Sequence, residues 1–487
     1  MSQPLRFLWH DYETFGADPR RDRPCQFAAV WTDAELNEVG EAEMFYCQPA
    51  DDYLPQPDAV LITGITPQHA RREGLTEAAF AQRIQALMSQ PGTCTLGYNS
   101  LRFDDEVTRH LFYRNFIDPY AREWQQGNSR WDLIDLVRAV HALRPEGIEW
   151  PKREDGSTSF RLEDLTRANG ITHGEAAHDA LADVRATISL ARLIRKAQPR
   201  LFDYVLQHRT KAAVSQWLQP ALQTPLVHVS SRYPASQGCT TLVLPLVDHP
   251  SNPNAVLAYD LSQDPLAFFE GSVEQWKHQL FSTTETLAAE GLSRLPIKLI
   301  HKNRCPVLFP VKTMDSATAE RLGLDLAAQE RHWKTLLTPQ GQQWSQRLPE
   351  LFKDAPVAET DPDLMLYSGP FFSDQDKRQF EQLRQMDPLD LAEWVPVFND
   401  PRLDEMLFRY RARNWPETLA THEMERWDEY RWQRMQSTRL ASITLKQLEA
   451  RLQALVSEGL NEQQLFLLGE LQLHVESILP IQCMEGY

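Results

Sequence analysis

Over the first 200 residues, short apolar runs alternate with segments whose apolar positions recur every three to four residues. That alternation predicts strands interleaved with helices, an α/β domain. Phe7-Leu8-Trp9-His10-Asp11-Tyr12-Glu13-Thr14 starts apolar, as a buried strand does, and Phe27-Ala28-Ala29-Val30-Trp31 and Glu43-Met44-Phe45-Tyr46-Cys47 read as further strands. Pro55, Pro57 and Pro67 punctuate a loop region around Ile62-Thr63-Gly64-Ile65. Glu77 to Met88 has helical spacing, and Thr95-Leu96-Gly97-Tyr98-Asn99 reads as a buried strand ending in a turn. Helices are expected over Trp131 to Leu143, Leu162 to Asn169 and Asp179 to Lys196. Gln198-Pro199 ends the last of these.

The texture then changes. Leu226-Val227-His228-Val229, Thr241 to Leu246, Ala255 to Leu261 and Ile297 to His301 are short and β-like, with Pro, Asn and Ser between them. An acidic, Pro-bearing stretch near Asp354 to Pro362 suggests a second linker. Beyond it, Arg402 to Arg413, His422 to Met435 and the Leu445, Leu448, Leu452, Leu455 series have helical spacing. The expected domains are 1–198, 199–353 and 354–487.

The length of 487 residues agrees with about three domains. No apolar run approaches the length of a membrane span, and no basic region followed by an apolar segment opens the chain. The six cysteines are scattered without a C-x-x-C pair, which favours reduced thiols in a cytoplasmic protein. The net charge of −17 is the wrong sign for a protein that coats nucleic acid indiscriminately. It leaves room for a nucleic-acid enzyme whose cations are confined to one groove.

Side chains alternate along a strand, so Asp11 and Glu13 share a face. Two adjacent carboxylates need a positive partner, and a divalent cation with oxygen ligands suits them. Two further elements carry acids: Arg102-Phe103-Asp104-Asp105-Glu106, where Asp104 begins a helix, and His178-Asp179-Ala180-Leu181-Ala182-Asp183, where Asp183 lies one turn beyond His178. Taken singly, each has an ordinary explanation: a solvated strand end, a helix cap, a surface histidine.

The order of these elements resembles the DEDD exonuclease superfamily in its DEDDh branch. The resemblance implies that Asp11, Glu13, Asp104 and Asp183 bind metal and that His178 is the general base. The segments His10-Asp11-Tyr12-Glu13-Thr14-Phe15-Gly16, Ala50-Asp51-Asp52-Tyr53-Leu54-Pro55-Gln56-Pro57, Gly97-Tyr98-Asn99, Ala142-Leu143-Arg144-Pro145-Glu146-Gly147-Ile148 and Tyr410-Arg411-Ala412-Arg413-Asn414 are similar to the bacterial exodeoxyribonuclease I family. That likeness implies an α/β ribonuclease H-like nuclease domain, a β-rich SH3-like domain and an all-α C-terminal domain. It also implies processive 3′→5′ degradation of single-stranded DNA to 5′-mononucleotides, in DNA repair and recombination. The cofactor it implies is a pair of Mg²⁺ ions, with Mn²⁺ as a substitute, roughly 3.5–4 Å apart.

A single strand is held by cations along its backbone and aromatic faces under its bases. Candidates are Arg109, Tyr120, Trp124, Arg138, Lys211, Lys298, Lys302 and Tyr367, with Phe371 and Phe372 beside the last. Arg161 matches a position that holds substrate phosphate in the family. The family also docks the acidic C-terminal tail of single-stranded DNA-binding protein, and Arg144 and Tyr204 match its pocket. The family pocket also borrows polar and basic side chains from the middle domain, and the stretch Phe309-Pro310-Val311 to Asp315 is not expected to supply the same ones. The expected molecule is a monomer without membrane contact. Two other readings are an exoribonuclease acting on RNA 3′ ends and a nucleic-acid-binding protein without catalysis. Roughly 290 residues beyond the first domain argue against the first, and the complete set of catalytic residue types argues against the second.

Overall fold

The first strand, β1 (Arg6–Thr14), organises the sheet that carries the acidic residues. The computed structural model describes residues 5–172, 179–353 and 359–480. They form two units, one of Met1–Ser129, His173–Ile188 and Ala358–Tyr487, the other of Arg130–Thr172 and Ser189–Val357.

In the first unit β1 is flanked by β2 (Pro24–Thr32) and β4 (Thr93–Gly97), with β3 (Glu43–Tyr46) outside β2. β1 runs antiparallel to β2 and parallel to β4. The β4 ladder ends at the Trp9–Leu96 pair, while the β2 ladder continues to Thr14. At this point β4 turns away. Gly97 is required there, because a Cβ would sit 2.5 Å from the His10 carbonyl oxygen. Asn99 follows in the left-handed region, with φ of 63°. Asp11 and Glu13 therefore stand past the carboxyl end of β4, a common place for a site in α/β sheets.

Four helices accompany these strands: α1 (Pro57–Thr63), α2 (Pro67–Glu73), α3 (Glu77–Met88) and α4 (Asp104–Arg114). Phe80, Ile84 and Met88 of α3 and Leu111 and Phe112 of α4 pack on Leu8, Tyr12, Phe27 and Phe45 of the sheet. The region expected to be a loop around Ile62 instead holds α1 and α2. Pro57 and Pro67 open them at the first helical position, where the missing N–H costs nothing.

Helices Asp374–Leu383, Pro388–Glu393, Arg402–Asn414, Thr421–Gln436, Leu445–Ser457 and Glu462–Ile478 also lie in the first unit. Met435, Leu445, Leu448, Leu471 and Val475 share a core with Phe15, Tyr53, Val60 and Ile65. A buried ionic network crosses this packing. Asp52 is 0% exposed and accepts from Arg413 and Arg434; Arg413 also reaches Asp363, which Arg409 shares with Asp361. Glu77 is ion-paired with Arg114 and Arg23.

The second unit contains an antiparallel sheet in the order Val307–Pro310, Leu226–Val229, Thr240–Asp248, Ala255–Asp260, Ile297–His301. Its core gathers Val243, Val256, Ala258, Ile300 and Leu308 with Val214 and Leu218. Sequence patterning identifies four of these strands and misses the fifth, Val307–Pro310. The helix expected from Trp131 begins at Leu133, because Asp132 caps it by accepting the Ile134 N–H. Among the described residues no helix is long and apolar enough to cross a membrane.

Candidate active site

Alternation along β1 sends His10 and Tyr12 into the core and Asp11 and Glu13 to the other face. The Tyr12 hydroxyl lies 2.9 Å from Thr108 Oγ1 on α4. The Tyr12 backbone N–H donates to Asp104 Oδ1 at 3.1 Å, which ties the start of α4 to the acidic end of β1. Phe103 packs against the core just before it. Asp104 is therefore more than a helix-terminal acid: it is buried, and its charge acts on both Asp11 and Glu13.

The last element of the site is the helix Ala180–Ala197, whose first turn contains Asp183. Asp11, Glu13 and Asp183 each offer a carboxylate oxygen, and these atoms all lie within 4.8 Å of one another. Burial pushes the Asp11 carboxyl well above the usual carboxylate range, and Asp104, Glu13, Asp183 and Asp179 push it further. Burial likewise raises Glu13, to about 8, with Asp183, Asp104 and Asp179 adding to it. Such a crowd of acids is what a divalent cation relieves, and carboxylate oxygens are the donors that a hard cation takes. The donor set thus fits the metal the sequence implies. His178 lies outside the described residues.

Asp179 was not among the candidate ligands, yet it acts on both Asp11 and Glu13. Its only sequence signal is its place between His178 and Asp183.

The candidate strand contacts fall in both units. In the first, Arg109 is buried and ion-paired to Glu106 and Glu123, and donates to the Tyr367 hydroxyl at 3.2 Å. Tyr367 donates in turn to Glu106 and meets His110 edge-on. Tyr120 lies under the Arg109 guanidinium and edge-on to Phe371. Trp124 and Phe371 are 66% and 87% exposed, whereas Phe372 stacks on Tyr113.

In the second unit Arg161 is exposed, immediately before the helix Leu162–Ala168. Arg138 is buried, pairs with Asp135 at 2.6 Å and faces the Phe160 ring. Lys211 is exposed at the start of the helix Lys211–Trp217. The Lys298 ammonium sits 4.0 Å from the Tyr233 ring centre, and Lys302 pairs with Asp248 at 3.1 Å. Arg144 is exposed at the end of the helix Leu133–Leu143 and donates to the Leu143 carbonyl. Tyr204 stacks between His208 and Phe309. Arg321, which sequence reading passed over, donates to the His141 and Ala142 carbonyls and, like Arg144, acts on Asp315.

A mixed sheet with an acid-x-acid pair on its first strand, and further acids brought to it by two helices, defines an exonuclease domain. Residues 8–191 match the family model described as Exonuclease. Residues 209–354 match Exonuclease I SH3-like domain, and residues 360–478 match Exonuclease I C-terminal domain. The chain is 49% identical over 433 residues to exodeoxyribonuclease I of Escherichia coli, covering 88% of this chain and 90% of that protein. A crystal structure of E. coli exonuclease I in complex with a dA16 oligonucleotide is 46% identical, with a TM-score of 0.92 over 98% of this chain and 100% of that one. A structure described as SSB/exonuclease I in complex with inhibitor CFAM is 45% identical, with a TM-score of 0.88 over 98% and 100%. The chain belongs to the exonuclease I family. It is an exonuclease with an α/β nuclease domain, an SH3-like domain and a helical C-terminal domain in that order.

Proposed function

We propose that the chain degrades single-stranded DNA processively from its 3′ end to 5′-mononucleotides, and serves in DNA repair and recombination. The observation that carries this reading is the convergence of Asp11, Glu13 and Asp183 within 4.8 Å, with Asp104 beside them. These four carboxylates would hold two Mg²⁺ ions, or Mn²⁺ in their place. When bound, the ions supply positive charge against the scissile phosphate and activate the attacking water.

The chain's own residues do the rest. Asp104 is fixed by the Tyr12 N–H, so its carboxylate needs little reorganisation as charge develops. His178, as the family resemblance assigns it, removes the proton from the attacking water; an imidazole of ordinary pKa suits that at neutral pH. The exposed Trp124 and Phe371 offer faces for bases. Arg161 would hold a phosphate, and Lys211 would contact the strand. Arg109 and Tyr367 serve differently from a simple clamp: the ion pairs of Arg109 hold the Tyr367 hydroxyl, so the ring rather than the guanidinium would meet the strand. Tyr120, Arg138, Lys298 and Lys302 are further candidate contacts with the strand.

A related structure described as SSB/exonuclease I supports a further partner, the acidic C-terminal tail of single-stranded DNA-binding protein. Arg144 with Tyr204 would take its terminal carboxylate and apolar side chain, and Arg321 adds a cation acting on the same Asp315. The functional divisions 1–198, 199–353 and 354–487, a monomeric state and a cytoplasmic location complete the reading. It is tested by digesting single-stranded DNA, RNA and duplex DNA with wild type and Asp183→Asn. Selective, Asp183-dependent loss of the single-stranded DNA supports it; equal digestion of RNA would replace it with an exoribonuclease.

A further inference from the structure

Gln26 lies on β2, across the ladder from Glu13 on one side and from Tyr46 on the other. It is 3% exposed, so both ends of its amide need partners within the protein. Its Nε2 donates to Asp179 Oδ1 at 3.4 Å, and its Oε1 accepts the Ala180 backbone N–H at 3.3 Å. The chemistry fixes which end faces which partner. A backbone N–H can only donate, and an ionised carboxylate can only accept.

Ala180 opens the helix Ala180–Ala197, and its N–H is one of those with no acceptor inside the helix. Asp179, the other partner of Gln26, accepts the Asp183 N–H through its carbonyl at 3.1 Å. One amide on the strand beside Glu13 thus grips the two residues from which the helix carrying Asp183 begins. The same two residues follow His178 directly in sequence.

We infer that Gln26 is a positioning residue for hydrolysis: it sets where the helix Ala180–Ala197 starts against β1, and so brings Asp183 to Asp11 and Glu13. The inference rests on the proposed role of Asp183. A glutamate at this place would keep the volume and the acceptor. It would lose the donor and add a sixth acid to Asp11, Glu13, Asp104, Asp179 and Asp183. An apolar residue of similar length would lose both bonds.

The test uses the full chain as wild type, Gln26→Met, Gln26→Glu and Asp183→Asn. Mg²⁺ binding is measured by calorimetry, and steady-state digestion of single-stranded DNA gives kcat and KM. Partners behind metal ligands are typically worth 10–100-fold in metal affinity or activity. Gln26→Met should therefore bind Mg²⁺ at least about tenfold more weakly and lose kcat to a similar degree, with KM for DNA within about twofold. A merely structural role would lower the melting temperature without this split. If Gln26→Met does not fold, Gln26→Glu, which preserves the volume, decides by the same measurements. Wild-type Mg²⁺ affinity and kcat in the folded variant would overturn the inference. If Asp183→Asn is inactive in that case, only the role of Gln26 fails; if Asp183→Asn is itself fully active, the site assignment fails.

Discussion

Replacing Asp52 by alanine should destabilise the protein far more than loss of one surface acid. Asp52 is fully buried and its carboxylate accepts from Arg413 and Arg434, whose side chains are also buried. Arg413 would keep Asp363, but among the described residues the hydrogen-bond partner left to Arg434 is the Arg21 carbonyl at 3.3 Å. Leaving one buried charge without its counter-ion costs about 3–5 kcal/mol. At roughly 2 °C per kcal/mol for a domain of this size, thermal unfolding should shift down by about 6–10 °C. The pH dependence has a definite sign. Burial raises the Asp52 pKa, but Arg413, Arg434 and Arg23 outweigh burial and hold it well below the usual carboxylate range. Its contribution is therefore present above the unfolded carboxylate pKa near 4 and is lost as pH falls below that. Scanning calorimetry of wild type and Asp52→Ala from neutral to acid pH reads both quantities. The gap should be widest at neutral pH and narrow on acidification. The double variant Asp52→Ala/Arg434→Met should recover part of the loss, because an apolar pair in place of a buried ion pair is often neutral. A neutral-pH shift below about 2 °C would refute the reasoning, since it would mean that solvent or another acid satisfies Arg434 at little cost.

Three further outcomes are expected. Because burial and neighbouring acids raise Asp11 and bring Glu13 to about 8, the cation-free fold loses stability as pH climbs from the unfolded carboxylate pKa toward 8; millimolar Mg²⁺ should therefore raise the melting temperature more near pH 8 than near pH 5, and an equal gain at both would contradict the cluster's electrostatics. Trp124→Ala should weaken single-strand binding by about 1–3 kcal/mol without changing its salt dependence, whereas Arg161→Ala should lower the salt slope by about 1; fluorescence titrations over a salt series separate the two. A fluorescent peptide of the single-stranded DNA-binding protein tail should bind Arg144→Ala at least about tenfold more weakly than wild type, and equal binding would remove Arg144 from that site.

The meeting of Asp11, Glu13 and Asp183 is legible because these residues lie in short segments with alternating or helical spacing. Asp11 and Glu13 share a strand face, and Asp183 falls one turn into an amphipathic helix, so side-chain direction follows from local geometry alone. What local geometry omits is the partner. Nothing in Pro24-Cys25-Gln26 reveals that Gln26 meets Asp179, more than 150 residues away. Arg109 illustrates the same limit: among cations near the acidic elements it reads as a strand contact, yet Glu106 and Glu123 occupy its guanidinium. The helix Glu462–Ile478 escaped notice because apolar residues lie all round it. Leu467, Leu468 and Leu471 are buried while Leu465, Phe466 and Leu473 are exposed, which blurs the period. Pro57 and Pro67 read as loop punctuation although each opens a helix, since a proline alone does not distinguish the two uses.

The central claim is that a carboxylate-held divalent cation drives removal of nucleotides from a free 3′ end. The direct measurement is a time course on one single-stranded oligodeoxynucleotide, labelled in parallel at its 3′ or its 5′ end, with Mg²⁺ or with EDTA. With Mg²⁺, the 3′ label should appear at once as a mononucleotide and the 5′ label only at the end of digestion, and EDTA should stop both. Early release of the 5′ label, or unchanged release in EDTA, would contradict the account.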